Sequence, residues 1–223
     1  MSEDRRLMSV ARRSFLSRLS AGAAVFGIIG GAQPSVSASA GPFQPAAHPQ
    51  DDWLDQIPGK HRLVLDTITP HGADVARRYT ENFFVASKEG YGLDNGDLAV
   101  VIILRHFATP FAYNDAVWAK YGGAVSDEIK FTDPKTNQAA TTNVYNTGDL
   151  ALDGLAKRGV RFAVCGMATQ YFAGVIARKS GASAEAVKQE LTASLIGSAR
   201  MVPAGIVTVN RAQERGYAFS YVG

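Results

Sequence analysis

The run LAVVIILR at residues 98–105 constrains the fold more than any other stretch of the chain. It is continuous, apolar and rich in β-branched residues, which is typical of a β-strand that is covered on both faces. Strands of this kind occur in parallel sheets, because the helices that connect parallel strands cover the faces of the sheet. The run therefore predicts an α/β fold.

The segments on either side of this run alternate between strand-like and helix-like patterns. Strand patterns lie at residues 61–69, 98–105, 160–167, 199–205 and 217–222. Helix patterns lie at residues 72–90, 112–122, 147–159, 170–179, 183–195 and 205–216. This order predicts a single doubly wound, mainly parallel five-stranded sheet of flavodoxin-like topology over residues 60–223, with right-handed crossovers and helices on both faces.

The first 40 residues have the organisation of an export signal. A basic start that contains Arg12 and Arg13 precedes a short apolar run at residues 21–32, and Ala38-Ser39-Ala40 matches an A-x-A cleavage pattern. The paired arginines in ARRSFL resemble the twin-arginine export signal. The apolar run is too short to span a bilayer, so we expect a periplasmic protein with no stable membrane anchor after cleavage.

A proline-rich segment follows the signal at residues 41–59. It holds four prolines and little periodicity, which indicates a linker or an arm. Trp53, Leu54 and Ile57 are the residues expected to hold this arm against the body of the protein or against a neighbouring subunit.

The charge of the chain argues against nucleic-acid binding. The formal net charge of +3 comes from the arginines of the export signal, and basic and acidic residues are equal in number after residue 40. A nucleic-acid surface needs clustered positive charge, so no nucleic-acid partner is expected. The sequence also lacks the glycine-rich phosphate motifs and the GxSxG nucleophile elbow.

Side chains with useful chemistry follow the first three predicted strands. They are Thr69 and His71 after the first strand, Arg105, His106, Asn114 and Asp115 after the second, and Cys165, Thr169 and Gln170 after the third. Ligands of parallel α/β sheets bind beyond the carboxyl ends of the strands, so these residues are the candidate site.

Cys165 is the only cysteine and cannot form a disulfide within the chain. It lies where a strand gives way to a helix, and the helix dipole and free backbone N–H groups there favour a thiolate. Gly166 permits a tight turn after it. The alternative is that Cys165 is a small buried hydrophobe, which is a common role of free cysteine.

His106 is the candidate catalytic partner of Cys165. Asp115 could orient His106 as a base, or His71, His106 and Cys165 could bind zinc or copper. The spacing matches no standard metal motif, so no metal and no cofactor are predicted. If the first strand lies between the second and the third, the ends that carry His106 and Cys165 are about 10 Å apart.

The remaining candidates are ligand-binding residues. Arg105 could bind an anion together with helix N-termini, or form a surface ion pair. Asn114 and Asp115 could instead cap the helix that follows them. Thr169 and Gln170 begin the helix after Cys165 and are included because they follow the same strand end.

Two segments of the chain resemble the DsrE/DsrF-like family of sulfur-relay proteins. They are LAKRGVRFAVCGMA at residues 155–168 and MVPAGIVTVNRAQERGYAFSYV at residues 201–222. VVIILRHFATPFAYNDAVWAKYG at residues 100–122 resembles the family's second strand and following loop. The resemblance covers about residues 61–222.

The resemblance implies a single parallel α/β domain that assembles as a trimer or hexamer. It also implies a sulfurtransferase-like role in which a cysteine accepts sulfane sulfur as a persulfide and passes it between a donor and an acceptor protein. Cys165 is the one residue for that role, and Arg105 or His106 would tune it. The alternatives are a non-catalytic protein that binds a metal or an anion at His106, His71 and Cys165, or a structural oligomer subunit.

Overall fold

Five parallel strands form one sheet in a computed structural model that describes residues 44–223. The strands are β1 (His61–Thr67), β2 (Leu98–Leu104), β3 (Arg161–Cys165), β4 (Ala199–Val202) and β5 (Ala218–Val222). All neighbouring pairs are parallel. The predicted five-stranded parallel α/β sheet is confirmed, and β2 is buried along its whole length, as its apolar run predicts.

Six helices connect the strands. They are α1 (Pro70–Tyr91), α2 (Asp115–Ile129), α3 (Leu152–Lys157), α4 (Gly166–Ser180), α5 (Ala184–Ala193) and α6 (Gly205–Glu214). Short 3-10 helices lie at Pro49–Leu54, Asn95–Asp97 and His106–Ala112. Each helix corresponds to a predicted one, but the predicted helix at 112–122 begins three residues later and runs on to Ile129.

The strand order is β4-β3-β2-β1-β5. The assumption that the first strand separates the second from the third is therefore wrong, because β2 itself pairs with β3 and Leu104 lies beside Val164. The chain continues in one direction from β1 to β4 and then returns across the sheet to β5. The residues that follow β2 and β3 consequently belong to adjacent strand ends, about 5 Å apart rather than about 10 Å.

Two apolar clusters cover the two faces of the sheet. The larger cluster contains residues of α1 to α5, and the smaller contains Val209 and Ala212 of α6. The connection from β4 to β5, which contains α6, runs across the sheet in the opposite direction to the earlier connections. Because all crossovers are right-handed, this connection passes over the other face of the sheet, and α6 therefore lies apart from the other helices. The predicted cover on both faces is confirmed.

The segment before β1 completes the smaller cluster. Trp53, Leu54 and Ile57 are buried there, so they hold the end of the proline-rich segment against the body of the protein. The expected export signal at residues 1–40 lies outside the described residues. Within residues 44–223, no helix has the length and apolar character needed to cross a membrane.

Candidate functional site

A cleft of about 560 Å³ opens at the carboxyl ends of β2, β3 and β4. Its lining is mostly apolar, with one thiol, one guanidinium and one imidazole. The lining residues are Arg105, His106, Phe107, Cys165, Met167, Ala168, Tyr171, Ala204, Gly205 and Ile206. Cys165, His106 and Arg105 therefore share one cleft, because β2 and β3 end side by side.

Cys165 is the last residue of β3 and the N-cap of α4. Its Sγ atom accepts a hydrogen bond from the backbone N–H of Ala168 at 3.5 Å. The residue is only 7 % exposed, and that exposure faces the cleft. The thiol is therefore reachable from the cleft.

Gly166 lets the first turn of α4 approach the end of β4 closely. A Cβ atom at this position would lie 2.9 Å from the carbonyl oxygen of Val202 and 3.2 Å from that of Pro203. Carbonyl oxygens of the backbone cannot move aside as the end of a side chain can. A side chain at position 166 would therefore displace the start of α4 and with it the thiol of Cys165.

Arg105 follows β2 and forms a two-pronged ion pair with Asp66 of β1. Its Nε and Nη2 atoms donate to the two carboxylate oxygens of Asp66 at 2.7 and 2.8 Å. These hydrogen bonds raise the pKa of the Arg105 guanidinium, burial opposes them, and the charges of Asp66, Cys165 and Tyr221 raise it further. Arg105 is thus a permanently charged group, fixed beside the thiol by a carboxylate that is almost completely buried.

His106 lies at the rim of the cleft and is exposed. Its backbone has a φ of 51°, in the left-handed region that few residues other than glycine adopt. Its ring stacks on Phe107, with ring centroids 4.2 Å apart and planes inclined by 10°. An unusual backbone conformation of this kind is common at functional sites, and here it directs an imidazole to the entrance of the cleft.

A buried hydrogen-bond chain holds the turn that carries Cys165. The hydroxyl of Tyr113 donates to Thr169 Oγ1 at 2.9 Å, and Thr169 Oγ1 donates to the carbonyl oxygen of Cys165 at 3.0 Å. Burial raises the pKa of Tyr113, so its hydroxyl remains protonated and able to donate. Thr169 is therefore a positioning residue whose hydroxyl faces the core, and it does not line the cleft.

Two helix N-termini reach the cleft. Residues of the first turns of α4 and of α6 are both among its lining. Backbone N–H groups in a first turn have no acceptor within their own helix, and the helix dipole is positive at that end. Gly205 permits the approach of α6, since a Cβ there would lie 2.7 Å from Arg105 Cβ. Together with Arg105, these groups make the cleft attractive to anions.

The other predicted site residues lie away from this cleft. Asn114 caps α2 by accepting from the N–H of Val117, and Asp115 accepts from the N–H of Asn143 at 2.8 Å. Gln170 is exposed on α4 outside the cleft, and His71 is exposed in the first turn of α1. Asn114 thus has the helix-capping position that was the alternative interpretation, and Asp115 begins α2 and also fixes the loop that contains Asn143.

Sequence reasoning did not identify Asp66, Tyr171 or Ile206. Asp66 had a recognisable signal, because a single carboxylate in the strand pattern HRLVLDTIT needs a partner if it is buried. Tyr171 and Ile206 had none, since they are ordinary apolar positions of helices that meet at the cleft only in the folded chain.

A three-residue metal site is not formed by the described residues. No group of three or more His, Cys, Asp or Glu side chains within residues 44–223 is placed to hold a metal ion. His106 and Cys165 share the cleft, but His71 does not line it.

Comparison of the chain with protein-family models, with curated proteins and with solved structures gave no match. What the cleft can do therefore follows from its own residues.

Proposed function

We propose that this protein is a sulfur carrier that resembles the DsrE-like proteins and accepts sulfane sulfur as a persulfide on Cys165. The observation that carries the proposal is the position of the thiol. The only cysteine of the chain lies at a helix N-terminus inside a cleft, beside a fixed guanidinium. A cysteine that served only to fill the core would not need this contact with the cleft.

Sulfur would reach Cys165 by exchange between its thiolate and a hydropersulfide donor. The Cys165 thiolate attacks the terminal sulfane sulfur of a hydropersulfide, RSSH. A new S–S bond forms at Sγ, the S–S bond of the donor breaks, and its electron pair leaves with the donor thiolate, RS⁻. The proton stays on the transferred sulfur, which gives Cys165–S–SH. No external oxidant or reductant is required, and a thiolate of an acceptor protein reverses the exchange.

The cleft favours a small anionic donor. The charge of Arg105 and the N-termini of α4 and α6 attract an anion and stabilise the negative charge on the leaving thiolate. The 7 % exposure of Cys165 admits a polysulfide or a small hydropersulfide more readily than a bulky one. His106 at the rim could exchange a proton with the leaving thiolate of the donor.

A non-catalytic anion-binding protein is the second candidate. The same guanidinium and helix N-termini would hold an anion without reaction at the thiol. The two candidates differ in what they require of Cys165, since simple binding would survive its replacement by serine and persulfide formation would not.

We also propose export to the periplasm and self-association. The proposal of export rests on the twin-arginine pattern of the first 40 residues.

The proposal of self-association rests on the resemblance to the DsrE-like proteins and on the exposed apolar side chains of α6 and β5, which are Ile206, Val207, Phe219 and Tyr221. Large apolar side chains grouped at a surface are typical of contact regions. Light scattering during gel filtration should give a multiple of the chain mass, and Phe219→Asp should reduce it; a single-chain mass for the unchanged protein at all concentrations would exclude self-association.

Intact-mass measurement tests the sulfur-carrier proposal. The protein, purified without reductant, is incubated with polysulfide, and we expect a gain of about 32 Da per chain that dithiothreitol removes. Cys165→Ser should abolish the gain, Arg105→Gln should slow it, and Gln170→Ala should leave it unchanged because Gln170 lies outside the cleft. Unmodified mass after incubation, with Cys165 resistant to alkylation until the chain unfolds, would contradict persulfide formation.

A further inference from the structure

A second cleft lies at the opposite edge of the sheet, where β3 and β4 begin. Its volume is about 380 Å³. Its lining combines arginine, aromatic and amide side chains with aliphatic ones. The lining residues are Trp53, Gln56, Ile57, Arg161, Ser198, Ala199 and Arg200. This cleft shares no residue with the one that contains Cys165.

The register of β3 and β4 places two arginines on one face of the sheet. Ala163 of β3 lies beside Arg200 of β4, and Arg161 precedes Ala163 by two residues. Side chains two apart on a strand, and side chains beside each other on parallel strands, point to the same face. Arg161 and Arg200 are therefore diagonal neighbours, with Cα atoms about 8 Å apart.

These two guanidinium groups have no carboxylate partner within residues 44–223. Arg161 donates only to the carbonyl oxygen of the adjacent Val160, at 3.3 Å. Arg200 lies over the ring of Trp53, with its Cζ atom 5.6 Å from the ring centroid. Most other arginines of this part of the chain form ion pairs, and no acidic residue lines the cleft.

Two neighbouring positive charges without a counter-ion repel each other, and the ring of Trp53 holds one of them in place. A guanidinium presents its N–H groups as a planar fork, which matches the oxygens of a phosphate or a carboxylate. We propose that this cleft binds an oxyanion of the phosphate class, held between Arg161 and Arg200. The binding is independent of sulfur transfer at Cys165, because the two clefts lie at opposite ends of β3.

Titration calorimetry of the full chain with inorganic phosphate at low ionic strength tests the proposal. We expect saturable binding that weakens as sodium chloride is added. Arg161→Gln and Arg200→Gln should each weaken it at least about tenfold, since each removes a charge-assisted hydrogen-bond partner. Arg178→Gln is the matched control, because Arg178 also lacks a carboxylate partner within residues 44–223 but lies outside this cleft, and it should leave the affinity unchanged.

The cleft of Cys165 is also attractive to anions, and Arg105→Gln separates binding there from binding at Arg161 and Arg200. Arg105→Gln should retain phosphate binding that Arg161→Gln and Arg200→Gln lose. Phosphate should likewise raise the melting temperature of the unchanged chain and of Arg105→Gln, but not that of Arg161→Gln. Binding that disappears in Arg105→Gln and persists in the other two variants would overturn the proposal, as would the absence of saturable binding to the unchanged chain. Neither result depends on persulfide formation.

Discussion

Replacing Asp66 by asparagine tests whether the buried ion pair organises the candidate site. The Asp66 side chain is 3 % exposed and accepts two hydrogen bonds from Arg105. Removing one partner of a buried ion pair typically costs about 3–5 kcal/mol. The Arg105 side chain is 24 % exposed, so water can hydrate part of it, and asparagine keeps one acceptor oxygen. We therefore expect a loss of about 2 kcal/mol in the free energy of unfolding.

Urea unfolding followed by circular dichroism measures this loss. Arg105→Gln should destabilise the chain more, by about 3 kcal/mol, because it leaves the carboxylate of Asp66 buried without a partner. The double variant should lose less than the sum of the two single losses by at least about 1 kcal/mol, since the second change removes a charge that the first has already isolated. Losses that simply add, or a loss below about 0.5 kcal/mol for Asp66→Asn, would refute the view that this pair stabilises the strand ends.

Two further predictions concern polar side chains that are held by hydrogen bonds. Thr169→Val should lower the free energy of unfolding by about 1–3 kcal/mol, because the buried hydroxyl of Tyr113 loses its acceptor. Thermal unfolding measures this loss, and Thr169→Ser, which keeps the hydroxyl, should show little of it. Burial would raise the pKa of Asp74, but hydrogen bonds from Arg77 and Arg78 outweigh it and lower that pKa. A lowered folded-state pKa gives stability that is present above the unfolded-state value and is lost as the pH falls through the folded-state value. The free energy of unfolding should therefore fall more steeply below about pH 4 in the unchanged chain than in Asp74→Asn. Urea unfolding between about pH 2 and pH 6 measures it, and the same pH dependence in both proteins would contradict the prediction.

Local signals in the sequence predict most of the secondary structure. The apolar run at 98–105 corresponds to the fully buried β2, and the helix pattern at 183–195 corresponds to α5, whose N-cap Ser183 accepts from the N–H of Ala186. Element ends were harder to place. The predicted helix at 147–159 is confined to Leu152–Lys157, because the residues before it form a loop that Asn146 holds by two hydrogen bonds to Asp153 in the first turn of the helix.

The candidate site was predicted in part. Cys165, His106 and Arg105 could be grouped from sequence because each follows a strand, and the carboxyl ends of parallel strands meet at one edge. Asp66 and Ile206 could not be grouped with them. Asp66 belongs to the site only through its ion pair with Arg105, and Ile206 lines the cleft only because the first turn of α6 packs there.

Strand and helix identity depends on side-chain period and on capping residues within a few positions, so the sequence by itself determined the α/β class and the place of the only cysteine at a strand end. Strand order depends on which apolar faces bury each other across the whole chain and on the handedness of the crossovers. Only the tertiary structure therefore decided that β2 lies beside β3, which brings His106 and Arg105 next to Cys165. The same long-range pairing of β3 with β4 places Arg161 near Arg200, and no local pattern could have brought those two arginines together.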